Sequence, residues 1–284
     1  MMDPMRGNNG PRYKHTAEAG APYDTISIDK LTPIIGAEIG GVDLSKPLGN
    51  RTLDEIHRAL AENSVIFFRD QHLTEEQHLD FGRKFGELHI HPAAPAASGH
   101  PELMIIRADK DSPRANGEGW HSDVSCDQIP PMGSILYIRE CPPHGGDTLF
   151  ASMYAAYEAL SDRMKAYLEG LAAIHDGEEN YRGTYAYAGV QDKATYPRAE
   201  HPVIRTHPVT GKKALSSRGD PGLPVEPRRE PAVPVPLPLA GKLHRVLGQS
   251  LRATPRDVGL LATHSLRPSR DGAGRAAGVM RVAA

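Results

Sequence analysis

Apolar and polar positions along the first 215 residues predict short strands separated by a few amphipathic helices. Val65–Phe68, Leu103–Ile106 and the interior of Ser134–Arg139 are short apolar runs, the pattern of buried strands. Thr25–Ile28 alternates polar and apolar side chains, which predicts a half-buried strand. Many short strands with few helices favour an α+β, mainly β, domain over a doubly wound sheet.

Helical spacing and capping residues mark four helices between these strands. Apolar positions recur with the helical period over Leu53–Ala61. Thr74–Gln77 has the pattern of a capping box and predicts a helix that ends near Gly86. Ser152–Leu160 and Ser161–Leu171 each begin with a serine, a preferred N-cap, and predict two further helices.

The chain after Leu215 differs in composition from the chain before it. Residues 216–284 contain no aromatic side chain and carry a net charge of +6, against −8 for residues 1–215. Seven prolines between Pro221 and Pro238 interrupt any central strand or helix there. Only Leu239–Leu251 has a helical pattern. The pattern predicts three segments: a disordered 1–22, a domain over 23–215, and an atypical Pro/Arg-rich tail over 216–284, where the fold is incomplete or aberrant.

Whole-chain properties exclude several classes of protein. The 284 residues include no apolar run long enough to span a membrane, and the first 22 lack the apolar segment of a secretory signal. Two cysteines, Cys126 and Cys141, form no disulfide framework, so we expect a cytoplasmic protein. Their spacing predicts buried apolar residues, not metal ligands. A net charge of −2 argues against nucleic-acid binding.

The segment Trp120-His121-Ser122-Asp123 carries the strongest chemical signal. On a strand, residues two apart point to the same side, so His121 and Asp123 would share one target. An imidazole and a carboxylate are two of the three ligands of the facial site that holds non-haem Fe(II) with open positions. A His-x-Asp tripeptide is common, however, and a surface salt-linked pair is the alternative interpretation.

The surroundings of this motif resemble the taurine dioxygenase (TauD/TfdA) family of Fe(II)/2-oxoglutarate-dependent dioxygenases. The resemblance covers about Tyr23 to Leu215, and the matching blocks follow one another in family order. These blocks are Val65–Gln71, Phe85–Pro92, Trp120–Val124, Pro130–Gly133, Gly145–Phe150, Ala155–Leu160 and His201–Lys212.

The resemblance implies a double-stranded β-helix, or jelly-roll, core with flanking helices. It implies Fe(II) held by His121 and Asp123, 2-oxoglutarate as cosubstrate hydrogen-bonded by Thr148, and O₂ as oxidant. His91 matches the position that contacts the anionic head of the substrate. The implied reaction hydroxylates a small anionic substrate, such as taurine or another alkylsulfonate or sulfate ester, and releases succinate and CO₂. A homo-oligomer is compatible with the sequence.

Two substrate-side positions depart from the family pattern. Ala94 stands where taurine-cleaving members carry a tyrosine, and Gly117 stands where they carry an asparagine. The sequence therefore favours another sulfonate, a sulfate ester or a bulkier carboxylate as much as taurine.

The third iron ligand and the arginine for 2-oxoglutarate belong to a C-terminal block that the tail does not reproduce. His264, 141 residues after Asp123, is the nearest metal candidate, and Arg275 follows it by the eleven residues that the family uses. His244 lies too early and has no arginine at that separation. The abrupt change after Leu215 is also typical of a GC-rich gene translated in a shifted frame, which the coding DNA would test.

Two alternatives to an active dioxygenase stay open from the sequence. One is a catalytically impaired relative of the family that lacks the distal iron ligand. The other is a cupin-like metal protein with non-oxygenase chemistry, such as an isomerase or a hydrolase.

Overall fold

A computed structural model describes residues 20–91, 96–97, 99–106, 120–140, 147–178, 181–182, 196–216, 225–227 and 279–283. The helices are α1 (Asn50–Asn63), α2 (Glu75–Arg83), α3 (Met153–Glu158) and α4 (Asp162–Leu168). The strands are β1 (Ser27–Lys30), β2 (Ala37–Gly40), β3 (Val65–Phe68), β4 (Ala96–Ala97), β5 (His100–Met104), β6 (Ser134–Ile138), β7 (Leu171–Asp176), β8 (Arg198–Pro202), β9 (Ile204–Thr206), β10 (Lys213–Leu215), β11 (Val225–Pro227) and β12 (Val279–Ala283).

The largest sheet has five strands in the order β1-β2-β3-β12-β6. β2 and β3 run parallel, and the other neighbours are antiparallel. β12, from the C-terminal end of the chain, lies between β3 and β6 and pairs with both. β12, a strand of the tail, is therefore an inner strand of this sheet.

One face of the five-stranded sheet holds the main hydrophobic core. Ile66 and Phe68 of β3 are fully buried there, and α1 packs its fully buried Ile56 against the same cluster. The Phe68 ring meets the Phe81 ring of α2 edge to face, with centroids 5.9 Å apart. Ile135 of β6 packs on this cluster as well. Because strand residues alternate between faces, the next residue along each strand belongs to the opposite face.

The opposite face of this sheet carries polar as well as apolar side chains. Glu38 of β2, Phe67 of β3 and Leu136 of β6 lie on this face, and the backbone register through β12 places them in one cross-strand row. Ser134, two residues before Leu136, belongs to the same face. This surface, called here the site face, is where the candidate functional residues collect.

A smaller sheet of three strands, in the order β11-β7-β8, accompanies a hairpin of β9 and β10. β11, which contains Pro227, is at the edge of its sheet. An edge strand tolerates a proline, which lacks a backbone N–H, because the strand pairs on one side only. Tyr157 of α3 and Leu168 of α4 are buried beside Val203 and Leu215, which joins the two helices to the hairpin.

Most of the expected elements are confirmed, including the strand Val65–Phe68. Thr74 accepts a hydrogen bond from the backbone N–H of Gln77, whose side chain accepts one from the backbone N–H of Thr74; the capping box is therefore present. Ser152 and Ser161 cap α3 and α4.

Two local expectations were wrong. Ile105 and Ile106 lie beyond the end of β5 and are about half exposed, so this apolar run is not a buried strand. The helix expected to reach Leu171 ends at Leu168, and Leu171 begins β7. The positive φ of Gly170, 86°, reverses the chain between these two elements and favours glycine.

The tail contributes β11 and β12, which the proline-based interpretation did not anticipate. The helical pattern of 239–251 and the candidates His244, His264 and Arg275 lie outside the described residues. Within the described part of the chain, no helix is long and apolar enough to cross a membrane.

The buried carboxylate of Glu55 ties the start of the domain to α1 and makes stability depend on pH. Its oxygens accept from the backbone N–H groups of Asp24 and Thr25, both at 2.9 Å, and from Arg51 Nε at 3.1 Å. Burial alone would raise the pKa of Glu55, but these donors outweigh it and lower the pKa to about 2 from an ordinary 4.5.

Since this pKa is lower in the folded than in the unfolded state, Glu55 stabilises the protein above pH 4.5, and the stabilisation is lost as pH falls toward 2. We expect Glu55→Gln to lower the free energy of unfolding at pH 7 by about 1–3 kcal/mol and to flatten its decline below pH 4.5. Urea unfolding at a series of pH values measures both effects. The matched control is Asp54→Asn on the same helix. Parallel pH curves for the wild type and Glu55→Gln would contradict the prediction.

Candidate metal site

His121 and Asp123 converge on the site face. His121 Nε2 lies 3.2 Å from Asp123 Oδ1, and both side chains are about half exposed. The expected strand is absent here: residues 120–122 lie outside any strand, and a turn begins at Asp123. The backbone N–H of Asp127 donates to the carbonyl of Val124 at 3.1 Å within that turn. A loop therefore brings the two side chains together, and not the alternating side-chain directions of a strand.

The carboxylate of Asp123 is oriented from both of its oxygens. Oδ1 faces His121, and Oδ2 accepts a hydrogen bond from the hydroxyl of Ser134 at the start of β6. The hydrogen bond with His121 and, more weakly, that with Ser134 lower the pKa of Asp123 against the opposing effect of burial. The carboxylate is therefore ionised at neutral pH, the form that a metal ligand needs.

The separation of the two donor atoms fits a shared metal ion. Adjacent ligands at right angles, each about 2.1 Å from a metal, lie about 3 Å apart. The observed 3.2 Å from Nε2 to Oδ1 is close to that value. Among the described residues, no third histidine, cysteine or acidic side chain completes a cluster. The same geometry also suits the simple ion pair considered from the sequence.

His91 lies near this pair. Burial, followed by the neighbouring His89, lowers the pKa of His91, while the carboxylates of Asp123 and Asp127 act in the opposite direction. The ring of Tyr181 packs edge to face on His91 with centroids 5.3 Å apart. The structure thus brings together three of the residues singled out in the sequence: His91, His121 and Asp123.

Thr148 lies in an exposed extended segment beside the site face. Two residues on, the Phe150 ring meets the Phe67 ring of β3 edge to face, with centroids 6.1 Å apart. This contact anchors the segment of Thr148 against the five-stranded sheet. His264 and Arg275 have no described position, and their roles stay predictions. Cys126 is buried, as expected.

Several residues that shape the site carry no signal in the sequence. Ser134 bonds to Asp123 from eleven residues away, and no local motif marks that contact. The Nε2 atom of His89 lies 3.0 Å from the Oδ2 atom of Asp127, so the imidazole and the carboxylate are hydrogen-bonded. His201 Nε2 lies 2.9 Å from the backbone carbonyl of Asp127. Each contact joins segments distant in sequence, so only the fold reveals it.

Known proteins resemble this chain over most of its length. The alkylsulfatase of Acinetobacter baylyi is 38% identical over 203 residues, which cover 68% of this chain and 63% of the relative. The alpha-ketoglutarate-dependent sulfonate dioxygenase of Saccharomyces cerevisiae is 33% identical over 201 residues, 67% of this chain and 48% of the relative. The chain thus spans about half to two thirds of the length of these curated relatives.

A solved structure has the same fold. The crystal structure of a taurine dioxygenase from Burkholderia xenovorans matches with a TM-score of 0.62 and 30% identity, over 92% of this chain and 80% of that one. A sequence model described as taurine catabolism dioxygenase TauD, TfdA family matches residues 27–253 and so extends beyond Leu215. This match covers well over half of the sequence, and we conclude that the chain belongs to the TauD/TfdA family of dioxygenases.

Proposed function

We propose that this protein is an Fe(II)/2-oxoglutarate-dependent dioxygenase that hydroxylates a small anionic organosulfur compound. The observation that carries the proposal is the 3.2 Å approach of His121 Nε2 to Asp123 Oδ1 inside a chain of the TauD/TfdA family. The proposed complete fold is a jelly-roll with flanking helices, of which the five-stranded sheet forms part.

When bound, Fe(II) supplies the redox chemistry that couples oxidation of 2-oxoglutarate to succinate and CO₂ with hydroxylation of the substrate. His121 and Asp123 would hold the metal. Ser134 fixes the orientation of the Asp123 carboxylate through Oδ2, while Oδ1 faces His121 and would be the oxygen that shares the metal with it. The hydroxyl of Thr148 donates to a 2-oxoglutarate carboxylate without adding charge. His264 remains the proposed third ligand.

An anionic sulfur headgroup suits His91, because its ring donates a hydrogen bond to an anion when it carries a proton on the facing nitrogen. Relatives named as an alkylsulfatase and as a sulfonate dioxygenase support a sulfate ester or a sulfonate as the substrate class. Ala94 and Gly117, which depart from the taurine pattern, lie outside the described residues.

The test of the proposed function is turnover with Fe(II), 2-oxoglutarate and a panel of linear alkyl sulfates and alkylsulfonates, taurine included. We expect substrate-dependent O₂ consumption and succinate formation in equal amounts, with release of sulfate or sulfite. Tight iron binding without succinate would favour the non-oxygenase metal protein. Absence of iron binding would favour the impaired relative.

Two arginines of the tail are candidates for the second carboxylate of 2-oxoglutarate. Arg275 has the expected spacing from His264. In the backbone register of β12, Arg281 pairs with Phe67 of β3 and with Leu136 of β6. Arg275 lies outside the described residues, so variants of the two arginines are compared directly.

We expect Arg275→Ala to raise the KM for 2-oxoglutarate by about 10- to 100-fold, since a charged hydrogen bond to the carboxylate is lost. Arg281→Ala, the comparison variant, is expected to change it less than about 3-fold. Initial rates of succinate formation at varied 2-oxoglutarate measure both values. The opposite ranking would assign the 2-oxoglutarate carboxylate to Arg281 and not to Arg275.

The Ser134 hydroxyl gives a direct test of how Asp123 is held. We expect Ser134→Ala to weaken Fe(II) or Co(II) binding by about 10- to 100-fold, because outer partners that orient a ligand contribute this much to metal affinity. Equilibrium titration of the metal-free protein with Co(II) measures the change. The control is Ser122→Ala, which removes an exposed hydroxyl between the two ligands. Equal affinity of both variants would show that Ser134 does not orient the carboxylate.

A further inference from the structure

The turn that carries Asp123 is an unfavourable piece of backbone. Val124, directly after Asp123, has φ 49° in the left-handed region. A β-branched residue is strained there, because its Cβ crowds the neighbouring carbonyl. Such conformations persist only where surrounding contacts hold them. The contacts that hold this turn therefore also determine where the Asp123 carboxylate lies.

Two imidazoles bind the end of this turn at Asp127. His201 of β8, only 6% exposed, lies with Nε2 2.9 Å from the Asp127 backbone carbonyl, which is an acceptor, so the ring donates. His89 lies with Nε2 3.0 Å from the Asp127 carboxylate. One contact reaches the turn from the three-stranded sheet and the other from the segment of His91. The turn is thus fastened from two separate parts of the fold.

Cys126, the residue before Asp127, is closely packed as well. Cys126 is buried at 7% exposure, and its Sγ donates to the Tyr181 hydroxyl at 3.6 Å. A Cβ placed on Gly177 would approach the same sulfur to 3.0 Å, so the thiol fills the space beside β7 closely. Cys126 therefore packs beside the end of β7, while the two imidazoles bind the next residue of the same turn, Asp127.

We propose that His201 is a positioning residue for the metal site. Through its hydrogen bond to the Asp127 carbonyl, and with His89 as a second tie, it fastens the strained turn at residues 123–127 and so fixes the direction of the Asp123 carboxylate. The consequence for metal affinity rests on the proposed function, whereas the fastening of the turn does not.

Hydrogen exchange on the metal-free protein tests the fastening itself. We expect amides of residues 123–127 to exchange about 10-fold faster in His201→Leu, which keeps an apolar side chain of similar bulk but donates no hydrogen bond. His201→Gln, whose amide nitrogen can donate from nearly the same place, is expected to stay within about 2-fold of the wild type. Amides of β3 and β6 serve as the internal reference.

A second pair of measurements separates positioning from a loss of folding. His89→Ala replaces a partly exposed residue and removes the hydrogen bond between His89 and the Asp127 carboxylate. It is expected to speed exchange of the same amides by about 3-fold. Co(II) titration is expected to show affinity about 10- to 100-fold weaker in His201→Leu and restored in His201→Gln.

Unchanged turn exchange in both His201→Leu and His89→Ala would overturn the proposal, as would a His201→Gln variant no better than His201→Leu. If His201→Leu unfolds, the His89→Ala and His201→Gln exchange rates decide the question. Failure of the wild-type protein to bind Co(II) would count against the proposed function alone, since the exchange rates still test the turn.

Discussion

Replacing His121 by alanine is expected to reduce 2-oxoglutarate-dependent succinate formation at least about 100-fold, the largest functional effect that the structure predicts. The variant leaves Asp123 without the imidazole that lies 3.2 Å from it. A metal site that loses a ligand of its facial set binds the ion far more weakly, and outer-partner losses alone cost 10- to 100-fold. The pKa of Asp123 is also expected to rise, because its hydrogen bond with His121 is the principal cause of its depression.

The matched control for this experiment is His72→Ala, which removes an exposed histidine between β3 and α2. Its succinate formation is expected to equal that of the wild type within about 2-fold. Metal content of each purified variant, measured by atomic absorption, locates the defect at binding. Wild-type turnover or metal content in His121→Ala would remove His121 as a ligand and leave the His121–Asp123 contact as an ordinary surface ion pair.

Replacing Phe68 by alanine is expected to lower the free energy of unfolding by about 3–5 kcal/mol, the largest effect on stability. Phe68 is fully buried in β3 and packs edge to face on Phe81 of α2. Truncation leaves a cavity between the five-stranded sheet and the helices, inside the main core cluster. Such a loss is a large share of the stability of a domain of this size, so reduced soluble yield is expected as well.

Urea unfolding followed by circular dichroism measures this change. The control is Phe150→Ala, because Phe150 remains 36% exposed and its ring meets that of Phe67 edge to face. We expect a loss of no more than about 1–2 kcal/mol for the control. Equal losses for the two variants would mean that the helix-covered face of the sheet is not the main core.

The local fold was predictable wherever a short stretch of sequence carries its own signal. The apolar run Val65–Phe68 is the buried strand β3, and Thr74 with Gln77 forms the capping box that begins α2. Signals of this kind depend on side chains within a few residues of each other. The ends of elements were less predictable: Leu171 begins β7 because Gly170 turns the chain, which the helical pattern before it does not reveal.

The sequence predicted the two candidate ligands of the site but not the residues that hold them in place. His121 and Asp123 were found from a tripeptide and its resemblance to a family, and their side chains do converge. The expected strand geometry was wrong, since a strained turn performs the convergence. The partners Ser134 and His201 are 11 and 78 residues from Asp123 in the chain, and no sequence pattern links such distant positions to one carboxylate.

The sequence by itself determined the family, the two candidate ligands His121 and Asp123, and local elements such as β3 and α2, because these depend on residue identity and short-range periodicity. Only the tertiary structure decided that a strand from the tail, β12, completes the central sheet between β3 and β6, which the composition of residues 216–284 did not predict. It also decided that Asp123 is held by Ser134 and that its turn is fastened at Asp127. Strand pairing and long-range hydrogen bonds join residues distant in the chain, so they are set by the packing of the whole molecule.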